Sequence, residues 1–296
     1  MKKDFPIPEP EEISVLGLFD GIATGLQALK DLGVPVRQYL ASEICPFASR
    51  VAKGNHPELI QLGNVSNVKP KDIGPIDLII GGPPCQSFSI AGSRKGFNDP
   101  RGNMVLQYVQ LVQALKPRWF MMENVVMRKE CSDIITQLLG VKPIELNSSN
   151  WSAQQRKRLY WTNIPLRPYK PDKCLVLADI MKCGGLAWLT KGWKRRGKPI
   201  RSGEVNKGGQ GDRIYHPSGK AITLNAFSGG TAGSGNMLVG NNVNWRKLSV
   251  EESERLQTLP DGYTRFVPLR ARHRLLGNCW TKEVICYLLS ILDGRK

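Results

Sequence analysis

The sequence predicts an open α/β fold, a mainly parallel sheet with helices on both faces, joined to a smaller, irregular and β-rich second domain. Three observations lead there. Apolar runs of strand length alternate with helix-like segments through the first half. The first of these runs opens into a glycine-bearing turn followed by a helix-like stretch. The charge is divided: residues 1–150 hold 16 Lys/Arg against 15 Asp/Glu, whereas residues 151–296 hold 26 against 10. A nearly neutral half joined to a strongly basic one suggests that one part does chemistry while the other grips a polyanion.

Ile13–Phe19 reads as a first buried strand running into Asp20-Gly21-Ile22-Ala23-Thr24-Gly25, with a helix-like segment from Leu26 to Lys30. Gly21 permits close backbone approach, and the helix start behind it offers free N–H groups. A second strand, Tyr39–Glu43, ends in a carboxylate placed to accept hydrogen bonds from two ribose hydroxyls. Gly63-Asn64 offers an amide near a third strand end, suited to the edge of an adenine. Singly these are structural commonplaces; in this order they indicate an adenosine-containing ligand.

The apolar run Ile76–Ile80 leads into Gly81-Gly82-Pro83-Pro84-Cys85, and Trp119–Met122 leads into Glu123-Asn124-Val125. Cys85 is thereby offered at a strand mouth by a proline-stiffened loop, the setting of a nucleophile. Read alone it is as easily a small core thiol. Glu123, expected at the neighbouring strand end, tips the reading toward chemistry, its plainer alternative being a helix-capping carboxylate.

Bulk properties narrow the class. A composition 41% hydrophobic and 23% charged is that of a globular chain. No apolar run approaches the ~20 residues that span a bilayer, and the start shows no secretory apolar region. Seven cysteines, none spaced Cys-x-x-Cys, with three histidines, read as reduced thiols without a metal site in a cytoplasm-like compartment. The basic residues of the second half lie among Gly, Asn, Gln and aromatics, with no amphipathic basic helix, which favours a nucleic acid over a membrane surface.

These residues resemble a family. Phe19-x-Gly21, Glu43, Pro83-Pro84-Cys85, Glu123-Asn124-Val125 and Gln154-x-Arg156-x-Arg158 stand in the order seen in cytosine-5 DNA methyltransferases. Arg246–Ser249, Glu252, Arg255–Gln257, Pro260-Asp261 and Gly277-Asn278 continue the match. Ala23-Thr24 replaces the usual glycine pair, as in the vertebrate de novo CpG enzymes; Asn64 stands for the usual Asp, and Trp280 for a smaller aliphatic residue. The segments 206–215 and 221–230 are similar to the recognition region of bacterial restriction-modification enzymes that act on GCGC.

The resemblance implies a Rossmann-like domain that uses S-adenosyl-L-methionine and releases S-adenosyl-L-homocysteine. The cofactor would contact Phe19, Asp20, Gly21, Ile22, Thr24, Gly25, Glu43, Ile44, Asn64, Val65, Pro83, Asn278 and Trp280. Asn64 would meet the adenine amino group through its amide oxygen. Chemistry would fall to Cys85, Pro84, Glu123, Arg158 and Arg156: a flipped cytosine attacked at carbon 6 by Cys85, held at N3 and its amine by Glu123, with the arginines at its carbonyl and phosphate. Ser87 and Arg94 would belong to a mobile lid touching DNA. Gln210 would fill the gap left by the flipped base, Arg213 would read a guanine, Thr223 would support the backbone, and Gly229 and Gly230 would admit close approach of DNA. The run Lys191–Lys198 would contact phosphates.

Residues 1–168, completed by 266–296, are expected to form the catalytic domain and 169–265 the target recognition domain, without regulatory extensions. The expected partner is double-stranded DNA, bound by a monomer in the cytoplasm, nucleoid-associated, or in a host cytoplasm if the chain is viral. An RNA methyltransferase of the same fold fits less well, because the recognition-like segment is long. A silent DNA-binding module leaves Cys85, Glu123 and Arg158 unexplained, and a nicotinamide dehydrogenase leaves the basic half unexplained.

Overall fold

A computed structural model describes residues 12–84, 103–168, 174–182, 194–206, 208–227 and 229–294. Its main sheet has seven strands: β1 (Ile13–Leu18), β2 (Val36–Ser42), β3 (Ile60–Gln61), β4 (Leu78–Gly81), β5 (Trp119–Val125), β6 (Ile144–Asn147) and β7 (Lys157–Thr162). Their order is β3-β2-β1-β4-β5-β7-β6; the first five are mutually parallel, and β7 and β6 complete the edge antiparallel. The order reverses between β1 and β4, so the loops leaving these two strands open a crevice at their carboxyl ends.

Alternation of side chains along buried strands divides the core into two layers. Val15, Leu78, Ile80 and Met121 face one side, where they meet Leu26 and Leu29 of α1 (Thr24–Asp31). Leu16, Ile79, Phe120 and Met122 face the other, where they meet Tyr108, Leu111 and Ile135. Between these elements, α2 spans Pro46–Asn55, α3 Pro70–Ile73, α4 Asn103–Leu115 and α5 Lys129–Leu139. Val284, Ile285 and Leu288 join the first layer from near the end of the chain.

The smaller sheet contains β8 (Arg201–Glu204), β9 (Arg213–Tyr215), β10 (Leu238–Gly240) and β11 (Trp245–Lys247), in the order β11-β10-β9-β8. A short α6 (Leu177–Ile180) packs with it through Leu177, Tyr215 and Val239. The last helices are α7 (Val250–Leu256), α8 (Leu269–Asn278) and α9 (Lys282–Leu288). α7 starts with a reciprocal cap: Ser249 Oγ accepts from the Glu252 amide, and Glu252 Oε2 accepts from the Ser249 amide at 2.8 Å. Val250, Leu259 and Tyr263 share a cluster with Ile22, Ala48, Val51 and Leu276, so this stretch packs on the large sheet's side.

Four expected strand boundaries move, the second strand running Val36–Ser42 so that Glu43 follows it instead of ending it. The first strand stops at Leu18, because Phe19 turns left-handed at φ 54°. The run from Ile76 joins the ladder only at Leu78. β5 continues through Glu123 to Val125, because β7 pairs with it there, so Glu123 lies within a strand rather than beyond its end.

Candidate active site

The turn after β1 is built from backbone that side chains tolerate poorly. Phe19, Gly21 and Ala23 all have positive φ, two of them without glycine's freedom. Two anchors hold it. Glu43 Oε2 accepts from the Gly21 amide at 2.8 Å, while its Oε1 accepts from Ile44 and Cys45 at 2.9 and 2.7 Å. Tyr263 donates its hydroxyl to the Ile22 carbonyl at 3.0 Å, and His56 Nε2 lies 3.0 Å from that hydroxyl. Burial pulls His56 down to about 4, so at neutral pH it is an uncharged support.

Asp20 is enclosed beneath this turn. Its Oδ1 accepts from Tyr39 Oη at 2.5 Å, and its buried Oδ2 has no partner among the described residues. Its carboxyl occupies the space a side chain on Gly17 would need. Burial raises its pKa to about 7, the Tyr39 bond works against this, and the nearby Glu43 adds to it. On the rim, Ile44 is 73% exposed and Val65 is buried. Asn64 spends part of its expected role locally: its Oδ1 accepts from the Ser66 amide at 3.0 Å and caps a short 3-10 turn. One lone pair of that oxygen remains for a ligand. Thr24 is buried, Gly25 packs against Ile80 and Trp280, and Asn278 is exposed at the end of α8.

Beside the turn, β4 delivers Gly82, buried Pro83 and exposed Pro84. The register that sets Gly81 opposite Met122 brings Gly82 level with Glu123. A Cβ on Gly82 would stand 3.0 Å from Glu123 Oε2. Asn124 Nδ2 donates to the Pro83 carbonyl at 3.4 Å, tying the start of the loop to β5, a role the sequence reading did not give it. Cys85, Ser87, Arg94 and the expected lid lie outside the described residues, as does the start of the Lys191–Lys198 run.

Glu123 is gripped from two directions. Tyr160 stands opposite it across the β5–β7 pair, so Arg158, two residues along, shares its face. Arg158 Nε lies 3.0 Å from Oε1, both side chains largely buried. Trp280 donates Nε1–H to Oε2 at 3.1 Å. Trp280, expected at the cofactor, therefore also touches the carboxylate expected to hold the base.

Arg156 has other work than the contact with base or phosphate expected of it. Only 6% exposed, it donates to the carbonyls of Leu224, Gly277 and Cys279 at 3.1–3.2 Å. Burial, then the neighbouring Arg158 cation, lowers it to about 10, still charged at neutral pH. Gln154 and Lys220 make the same kind of join: Gln154 Oε1 accepts from the Leu224 amide, and the fully buried Lys220 ammonium donates to Ser149, Ser152 and Leu175 carbonyls. No pattern in the sequence marks Lys220, because a lone lysine beside glycine normally stays in solvent.

At the smaller sheet, Gln210 is exposed on a 3-10 turn and Arg213 opens β9, its Nε 3.4 Å from the Gly208 carbonyl. Thr223 Oγ1 donates to the Gln155 carbonyl at 2.8 Å. Gly229 and Gly230 lie against Gly211, where an added Cβ would overlap the Gly229 carbonyl. Gln210 and Thr223 line one small concavity with Asn225 and Asn236. Arg195, within the Lys191–Lys198 run, is paired with Asp179 through two contacts of 2.9 and 2.7 Å.

The model of the C-5 cytosine-specific DNA methylase family matches residues 13–165, more than half of the chain. The chain belongs to that family. Across 307 aligned positions it is 30% identical to the type II methyltransferase M.HhaI of Haemophilus parahaemolyticus, covering 92% of each chain. It is 41% identical over 116 residues to the orphan methyltransferase M.Rho11sI of Bacillus phage rho11s, a match that covers 38% of this chain and 23% of that one. Among solved structures, the S. pombe Dnmt2 methyltransferase superposes with a TM-score of 0.72 at 20% identity, over 95% of this chain and 98% of that one. Entamoeba histolytica EhMeth gives 0.73 at 18%, over 95% and 99%. These two likenesses are of fold. Among the described residues, no helix is long and apolar enough to cross a membrane.

Proposed function

We propose that this chain transfers a methyl group to carbon 5 of cytosine in double-stranded DNA, at a short site containing a C-G step. The observation that carries the reading is the Glu123 carboxylate, held by Arg158 and Trp280 beside Gly82, three residues before Cys85 and next to the turn of β1. The turn suits an adenosyl ligand: Gly21 has open space where a Cβ would stand, Ile44 presents an apolar surface, and Asp20 leaves a carboxylate oxygen without a partner among the described residues. S-adenosyl-L-methionine, when bound, supplies the electrophilic methyl group.

The chain's residues would do the rest. The Cys85 thiolate adds to carbon 6 of a flipped cytosine, making carbon 5 electron-rich. Glu123 accepts from the exocyclic amine through a lone pair that Arg158 and Trp280 leave open, and shares a proton with N3 that neutralises the electron density built up there when carbon 6 is attacked. Arg158 balances the carboxylate and offers its remaining N–H groups to the base carbonyl. After methyl transfer, loss of the carbon 5 proton and of Cys85 restores the ring. Arg156 is a clamp that sets the recognition segment against β7 and α8. Gln210, Arg213, Thr223, Gly229 and Gly230 form the surface presented to DNA, and a GCGC-like site is its first candidate. We place the return of the chain to the catalytic unit near Val250, earlier than residue 266, on the packing of Val250, Leu259 and Tyr263 with Ile22.

Bisulfite sequencing of duplex DNA incubated with the purified protein and S-adenosyl-L-methionine tests this. Protected cytosines confined to one short motif are expected. Complete conversion of every cytosine, with methylation recovered instead on RNA, would overturn it.

A further inference from the structure

We propose that Trp280 is a positioning residue for Glu123: its indole N–H sets the carboxylate's orientation before cytosine arrives. This rests on the reading of Glu123 as the group that holds the base.

Each Glu123 oxygen has its own donor, Arg158 Nε on Oε1 at 3.0 Å and Trp280 Nε1 on Oε2 at 3.1 Å. Two donors on different oxygens oppose rotation about the last side-chain bond, which is otherwise broad and soft. Arg158 alone leaves that torsion free to carry Oε2 away from the base. The indole is itself fixed: Trp280 is 8% exposed and packs in the core layer with Leu26, Tyr39, Ile80 and Val284.

Glycine at two positions makes room for this. A Cβ on Gly82 would lie 3.1 Å from Trp280 Nε1 as well as 3.0 Å from Glu123 Oε2, intruding on the bond itself. A Cβ on Gly25 would lie 3.4 Å from Trp280 Cζ3. The ring thus runs from the proposed cofactor turn at Gly25 to the carboxylate at Glu123, and its rigidity ties the two together. An aliphatic side chain at position 280 has no N–H to give.

Trp280→Phe keeps an aromatic ring and removes the donor. In single-turnover methyl transfer to duplex DNA, the rate is expected to fall at least tenfold, with the apparent affinity for S-adenosyl-L-methionine changed less than threefold. In a Glu123→Gln background the same substitution should have little further effect, since residues acting through one contact are non-additive. In apo protein, the Trp280 indole N–H resonance should move on Glu123→Gln, a readout that needs no turnover. An unchanged rate, a loss confined to cofactor affinity, or full additivity with Glu123→Gln would each overturn the proposal. If Glu123→Gln itself methylates normally, the reading of Glu123 falls, and the proposal with it.

Discussion

Arg156 Nη1 donates to the Leu224 carbonyl at 3.2 Å, joining residues 68 positions apart, while its Nη2 holds Gly277 and Cys279. One buried cation therefore fastens the start of β7, the segment around Leu224 and the end of α8. Arg156→Met leaves three carbonyls without a charged donor. A buried acceptor left unsatisfied costs about 1–3 kcal/mol, so the loss of stability should be about 3 kcal/mol or more, read as a lower urea midpoint. If the midpoint holds and only methyl transfer suffers, Arg156 works on substrate after all.

Asp20 should make stability depend on pH. Unfolded, its carboxyl titrates near 3.8; folded, burial holds it up at about 7. Between those values the native chain keeps a proton that the unfolded chain releases, so stability falls as pH rises through the window. Asp20→Asn cannot ionise. The difference in unfolding free energy between this variant and wild type, measured without cofactor, should grow in the variant's favour by about 2–3 kcal/mol from pH 5 to pH 8. A flat difference would mean that Asp20 titrates normally.

Cys85→Ser should abolish methyl transfer and leave duplex binding intact. With wild type and cofactor, DNA carrying 5-fluorocytosine at the target should yield an adduct that survives denaturation, because a carbon 5 fluorine cannot leave as a proton does. Normal turnover by the serine variant, or no adduct with wild type, would remove Cys85 as the nucleophile.

Arg213→Ala should relax recognition at one guanine, costing about 1–3 kcal/mol there and little elsewhere. Methylation rates across single-base variants of the site are the measurement. A uniform loss over all variants would identify Arg213 as a phosphate contact instead.

The parts legible in the sequence were those with local causes. Apolar runs of strand length mark buried strands, and the Gly21 turn and the Glu43 strand end follow from spacing within one βαβ unit. Sites that depend on distant register were not legible. Arg156 and Arg158 are two residues apart and chemically alike, yet one clamps backbone while the other meets Glu123. β7 pairs with β5 only as far as Arg158, which stays beside Glu123, whereas Arg156 lies before the strand and reaches the carbonyls of Leu224, Gly277 and Cys279. Nor does local pattern announce that Trp280 reaches a carboxylate 157 residues earlier, or that Lys220 is fully buried.

By itself, then, the sequence determined the alternation of strands and helices through the first half, the family resemblance and the basic character of the second half. Short-range hydrophobic periodicity and turn chemistry decide such things residue by residue. Only the tertiary structure decided that Arg158 and Trp280 meet Glu123, where Arg156 spends its hydrogen bonds, and that one oxygen of Asp20 is buried without a partner among the described residues. Those follow from strand register and long-range packing, which bring together side chains that no window along the chain contains.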